Sequence, residues 1–99
     1  MMTIVTRVTL EEGQEPVWDE AFRERAADAS QQPGWIGVQV CIPAEALNQR
    51  VIIGTWETRA AWEAWHAKLP FRDTRRRMAP TESGPRQEEW YEVILAKHR

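Results

Sequence analysis

An α+β domain with the element order β-α-β-β-α-β is predicted by three features of this 99-residue sequence. Four segments are β-branched or aromatic with period-two patterning, two segments repeat apolar residues at three- and four-residue steps, and turn residues sit between them. A split βαβ arrangement satisfies that order with one antiparallel four-stranded sheet and both helices on one face, the ferredoxin-like class.

From Thr3 to Leu10, Ile4, Thr6, Val8 and Leu10 alternate with Val5, Arg7 and Thr9, which predicts the first strand. Glu11 to Glu15 breaks it, and Pro16 stands where a first helical residue tolerates a missing N–H. Across Val17–Ser30, Trp18, Ala21, Phe22, Ala26 and Ala29 form one helical stripe opposite Asp19, Arg23 and Glu24. Gln31-Gln32-Pro33-Gly34 stops that helix, and Trp35–Ile42 restores a strand with Ile36, Val38, Val40 and Ile42 on one face. A polar connection over Pro43–Gln49 leads into the β-forming run Arg50–Trp56, so the two strands are expected to form a hairpin. Thr58 suits an N-cap, and Arg59–Leu69 places Ala61, Trp62, Trp65 and Leu69 on one side of a second helix. Pro70 interrupts it, and Phe71–Met78 reads as a shorter helical continuation. After the turn-rich Ala79–Pro85, Glu89–Lys97 is expected as the last strand.

A chain of this length closes one hydrophobic core, so residues 1–99 are read as one domain. The formal charge of −2 and pI near 5.7 provide no broad basic field, which argues against nucleic acid as a partner. No apolar run is long enough to span a bilayer and the first residues lack the pattern of a signal peptide, so no membrane partner is expected and the cytoplasm is the expected compartment. Cys41 is the only cysteine, which excludes an intrachain disulfide and a zinc-holding thiolate cluster; an inert, buried thiol is expected there. Six tryptophans, at 18, 35, 56, 62, 65 and 90, exceed what one thin core needs, and an interface, a ligand pocket or both would use the surplus. The third and fourth strands are apolar on both sides, so the uncovered sheet face is expected to pack against a second copy of the chain, giving a homodimer.

The stretch Pro33-Gly34-Trp35-Ile36-Gly37-Val38, followed by Val51 to Trp65, resembles the antibiotic biosynthesis monooxygenase family. The distinctive core is a strand ending Trp56-Glu57-Thr58, a helix opening with Ala61-Trp62, and Trp65 one turn on. The resemblance implies a dimeric α+β barrel in which two sheets pack face to face, in agreement with the dimer argued from apolar strands. It also implies a monooxygenase acting on a flat aromatic such as a phenol, quinol or polyketide-like molecule, without a cofactor. Haem-degrading enzymes and small proteins of unknown role belong to the same family, so a haem-binding or haem-degrading enzyme and a non-catalytic ligand-binding module are the alternatives. The haem-degrading branch is associated with an Asn, a Trp and a His, which fall here at Thr6, Trp65 and near Arg75. Only the Trp is retained, and a guanidinium has no lone pair for iron. The Pro-His-aromatic run of quinol-oxidising members corresponds to Leu69-Pro70-Phe71, again without the His.

The candidate site follows from that resemblance. Trp62, Trp65 and Phe71 would bind a flat substrate, Thr6 and Arg75 would contact its oxygens, and His66 would be the candidate base. Each has a plainer alternative: core packing for Trp65, a solvent-edge position for His66, and a solvated helix end for Arg75, Arg76 and Arg77. Tyr91 would face either the pocket or the dimer seam, and no metal ligand set is expected.

Overall fold

The computed structural model describes residues 1–99. It comprises β1 (Met2–Thr9), α1 (Glu15–Ala29), β2 (Trp35–Cys41), β3 (Gln49–Trp56), α2 (Arg59–His66), α3 (Leu69–Met78), a 3-10 turn (Ala79–Thr81) and β4 (Gln87–Glu92). The strands form one antiparallel sheet in the order β2-β3-β1-β4. This is the ferredoxin-like βαββαβ fold read from the sequence. The second helical region is divided because the Pro70 ring clashes with a helical carbonyl four residues back, at His66, where α2 ends. Thr58 caps α2 as expected, its Oγ1 accepting the Ala61 N–H at 3.1 Å.

Register decides which side chains meet the helices. Thr6 of β1 lies opposite Ile52 of β3 and Glu88 of β4, so Ile4, Thr6 and Val8 share the helix-facing surface with Arg50, Ile52, Gly54 and Trp56. Two apolar clusters hold the layers together. Val8, Leu10, Trp18, Ala21, Phe22, Ile52 and Met78 form one, and Ala29, Trp56 and Trp65 form the other. Arg50 is clamped at the edge of the first by two bonds to Asp19, at 2.9 and 3.0 Å.

Gly34 sets the position of α2. Its φ of +84° is readily reached only without a Cβ, and a Cβ there would stand 2.7 Å from that of Ala61. The Gly34 carbonyl also accepts the Glu57 N–H at 2.7 Å, tying the α1–β2 turn to the start of α2. The helix that carries the candidate tryptophans is therefore fixed at its N-terminal end by backbone contact.

Four expectations are corrected. A bulge between Trp35 and Gly37 takes Ile36 out of the alternation of β2 and leaves it exposed. The last strand ends at Glu92 because β1 supplies no partner beyond Met2; Ile94 and Leu95 are 95% and 82% exposed. The open sheet face carries Val5, Val51 and Ile53, but β1 places the exposed Arg7 opposite Val51 and β4 presents Gln87, Glu89 and Tyr91 there. Cys41 is exposed, since it lies on that same uncovered face at the sheet edge. No helix is long and apolar enough to cross a membrane.

Candidate functional site

A cleft opens between the helices and the sheet, bordered by both apolar clusters. It is half open, with a cavity volume of about 70 Å³ and about 550 Å³ when the open space at its mouth is counted. The sheet supplies Ile4, Thr6, Val38, Ile52 and Trp56; α1 supplies Phe22, Arg25 and Ala29; α2 supplies Trp62, Trp65 and His66; and α3 supplies Phe71. Trp35, Arg86 and Glu88 also line it.

The cleft brings Thr6, Trp62, Trp65, His66 and Phe71 together. Arg75 is not brought into it. The Arg75 guanidinium is held by Glu82, with Nη1 donating to Oε2 at 2.7 Å and Nη2 to Oε1 at 2.9 Å, because the 3-10 turn after α3 carries Glu82 back beneath the helix. Two other arginines enter instead. Arg25 lies on the α1 stripe, three residues after Phe22 and four before Ala29, and is buried with them. Arg86 precedes β4 on the same alternation as Glu88 and Trp90, which the expected start at Glu89 left out.

The rings form a connected wall. The His66 ring centroid is 3.6 Å from that of Trp62 and 3.8 Å from that of Phe71. Phe71 meets Trp65 edge-on at 5.9 Å, and Trp62 meets Trp90 edge-on at 4.9 Å. The spacing of α2 explains this, since Trp62 and His66 are four residues apart on one helical face.

His66 Nδ1 lies 2.8 Å from the Trp62 carbonyl oxygen, which only accepts, so Nδ1 carries the proton and Nε2 keeps the free lone pair. Burial lowers the His66 pKa to about 4; the Trp62 carbonyl opposes this, and the Arg25 and Arg86 charges add to it. The imidazole is therefore neutral at pH 7. Arg25 donates from Nε to Thr74 Oγ1 at 3.0 Å and lies 4.2 Å above the Phe71 ring. Burial, then the charges of Arg86 and Arg75, lower its pKa to about 9, which leaves it protonated at neutral pH. Glu82 stays ionised although burial disfavours the charge, because Arg75, Arg86 and the Trp18 Nε1–H, at 3.0 Å, hold it below the usual range.

No group of three or more His, Cys, Asp or Glu side chains comes together to hold a metal ion. Haem does not fit the residues present. His66 is wedged between two rings, and Arg75 is tied to Glu82 with no lone pair for iron.

The fold has close relatives among solved structures. A protein from Nitrosomonas europaea, provisionally assigned as an antibiotic biosynthesis monooxygenase, superposes with a TM-score of 0.89 at 17% identity, over 96% of this chain and 100% of that one. SnoaB from Streptomyces nogalater, described as a cofactor-independent oxygenase, superposes with a TM-score of 0.84 at 19% identity, over 96% and 94%. A conserved protein from Methanosarcina mazei reaches 0.86 at 9% identity, over 91% and 89%. At these identities the likeness is one of fold. No curated protein is a significant match.

The neutral His66 makes stability fall in acid. Its folded pKa lies below the unfolded value near 6.5, so the unfolded chain binds more protons between those values and stability is lost as pH falls from about 6.5 to about 4. After allowance for partial exposure, the expected loss is on the order of 1–3 kcal/mol. Urea titrations at pH 7 and pH 4.5 check this: His66→Gln should flatten the difference, and an equal drop in the variant would assign the acid sensitivity elsewhere. The model of the antibiotic biosynthesis monooxygenase family matches residues 1–77, and the chain belongs to that family.

Proposed function

We propose that the protein is a monooxygenase whose cleft binds a flat, electron-rich aromatic and directs dioxygen onto it without a metal or flavin. The carrying observation is the wall of Trp62, Trp65, His66 and Phe71 over a cleft lined by Thr6 and Ile52, in a chain of this family. The description of SnoaB as a cofactor-independent oxygenase supports the same reading.

The chemistry needs little from the protein beyond binding and order. A phenol, quinol or anthrone that has lost a proton is electron-rich enough to pass an electron to dioxygen. Oxidation of a ring methylene to a carbonyl then places one oxygen atom in the product and releases the other as water with the two hydrogens of that carbon, so no further reductant enters. The rings would hold the substrate in one plane, exclude water and fix its distance from oxygen. Thr6 would contact a substrate oxygen, and His66 Nε2 would accept the proton. With a pKa near 4 the free imidazole is a weak base, and a bound anion beside Arg25 and Arg86 would raise it.

The working unit in this reading is a homodimer packed through the open sheet face, where Val5, Val51 and Ile53 would be covered. Sedimentation velocity should give twice the chain mass, and a lone folded subunit at micromolar concentration would remove the dimer.

Oxygen uptake with a panel of naphthols, quinols and anthrones tests the activity. Uptake above the uncatalysed rate is expected for at least one member, and Trp62→Ala, at a half-buried position, should lower it about 10-fold or more. No member raising uptake would contradict the reading.

A further inference from the structure

The charges around the cleft do not balance. Arg25, Arg75 and Arg86 gather about one buried carboxylate, Glu82, three cations to one anion. Glu82 is already engaged: Oε2 accepts from Trp18 Nε1 and Arg75 Nη1, and Oε1 accepts from Arg75 Nη2. The one carboxylate that lines the cleft itself, Glu88, is exposed, and the lining cations are Arg25 and Arg86. Arg25 is bonded to neutral groups alone, the Thr74 hydroxyl and the Phe71 carbonyl.

Arg86 has less. Its side chain is 20% exposed, and its Nε lies 3.2 Å from Glu82 Oε1 but out of line for a hydrogen bond. Both Nε and Nη2 are buried with no acceptor. These two nitrogens form one edge of the planar guanidinium, the fork that receives two oxygens of a single anionic group. A buried polar group is ordinarily bonded, and beyond the ion pair with Glu82 this edge of Arg86 has no aligned oxygen.

We infer that the cleft takes its ligand as an anion, a planar aromatic acid whose carboxylate is received by the Nε and Nη2 edge of Arg86, with Arg25 as the second cation and the rings of Trp62 and Phe71 against the aromatic body. The inference rests on the reading of the cleft as a substrate site and narrows its ligand class. In this arrangement Arg86 recognises the acid, and His66 contributes no competing charge because it is neutral.

Binding without turnover tests it. Tryptophan fluorescence is titrated in oxygen-free buffer with 2-naphthoate and with 2-naphthamide, a neutral analogue of similar shape. The acid should bind roughly 10- to 100-fold more tightly, the range of one charge-assisted pair of hydrogen bonds. Arg86→Gln should erase that preference, and Arg86→Lys, which keeps the charge and loses the fork, should retain part of it. Should Arg86→Gln fail to fold, the wild-type preference and its partial retention in Arg86→Lys decide the matter. Equal affinity for acid and amide, no binding of either, or an undiminished preference in Arg86→Gln would overturn the inference. Selective binding of the acid without oxygen uptake would leave the inference standing and count against oxygenation; uptake on neutral substrates with no preference for acids would do the reverse.

Discussion

Charge occupies the middle of the helix-to-sheet layer, and the two apolar clusters close around it. Val8, Leu10, Trp18, Phe22 and Met78 bind α1 to the sheet on one side, while Ala29, Trp56 and Trp65 bind α2 on the other. Arg25 stands between them on α1, held by Thr74 and laid against Phe71. Desolvating a guanidinium costs several kcal/mol, and hydrogen bonds to neutral oxygens offset only part of it. An apolar core would have sealed this region. Arg25 and Arg86 line the cleft that stands between the layers.

Much of the frame was legible in the sequence because it follows from period and punctuation. The two helical stripes, the β2–β3 hairpin, the Thr58 cap and the break before Pro70 each depend on residues within a few positions of one another. The end of β4 was not legible, because it is set by where β1 begins; Ile94 and Leu95 look like strand residues but meet no partner. The exposure of Cys41 and Ile36 depends likewise on the bulge and on the uncovered face.

The candidate site was read unevenly for the same reason. The pair Trp62 and Trp65 and the neighbouring His66 share one short helix, so their meeting with Phe71 requires only the turn at Pro70. Arg25 was present in the spacing of α1, yet a charged residue within an apolar stripe is passed over when apolar residues alone are counted. Arg86 enters through the register of β4 on β1, which no local pattern reveals. Arg75 was favoured by its place on α3, but Glu82, brought back by the 3-10 turn, takes its guanidinium.

The histidines associated with other branches of the family are absent near Arg75 and in Leu69-Pro70-Phe71, and the imidazole that is present, His66, is kept neutral by burial, with the charges of Arg25 and Arg86 adding to it. In the proposed reading, Arg86 would capture an anion first and the rings would orient it. A crystal structure with 6-bromo-2-naphthoate tests that claim most directly, since anomalous scattering locates the bromine and electron density locates the carboxylate. The account predicts the carboxylate on Arg86 Nε and Nη2, with the ring against Trp62 and the bromine toward the mouth. A cleft filled by its own side chains, with Arg86 turned onto Glu88 and no ligand within reach, would contradict it.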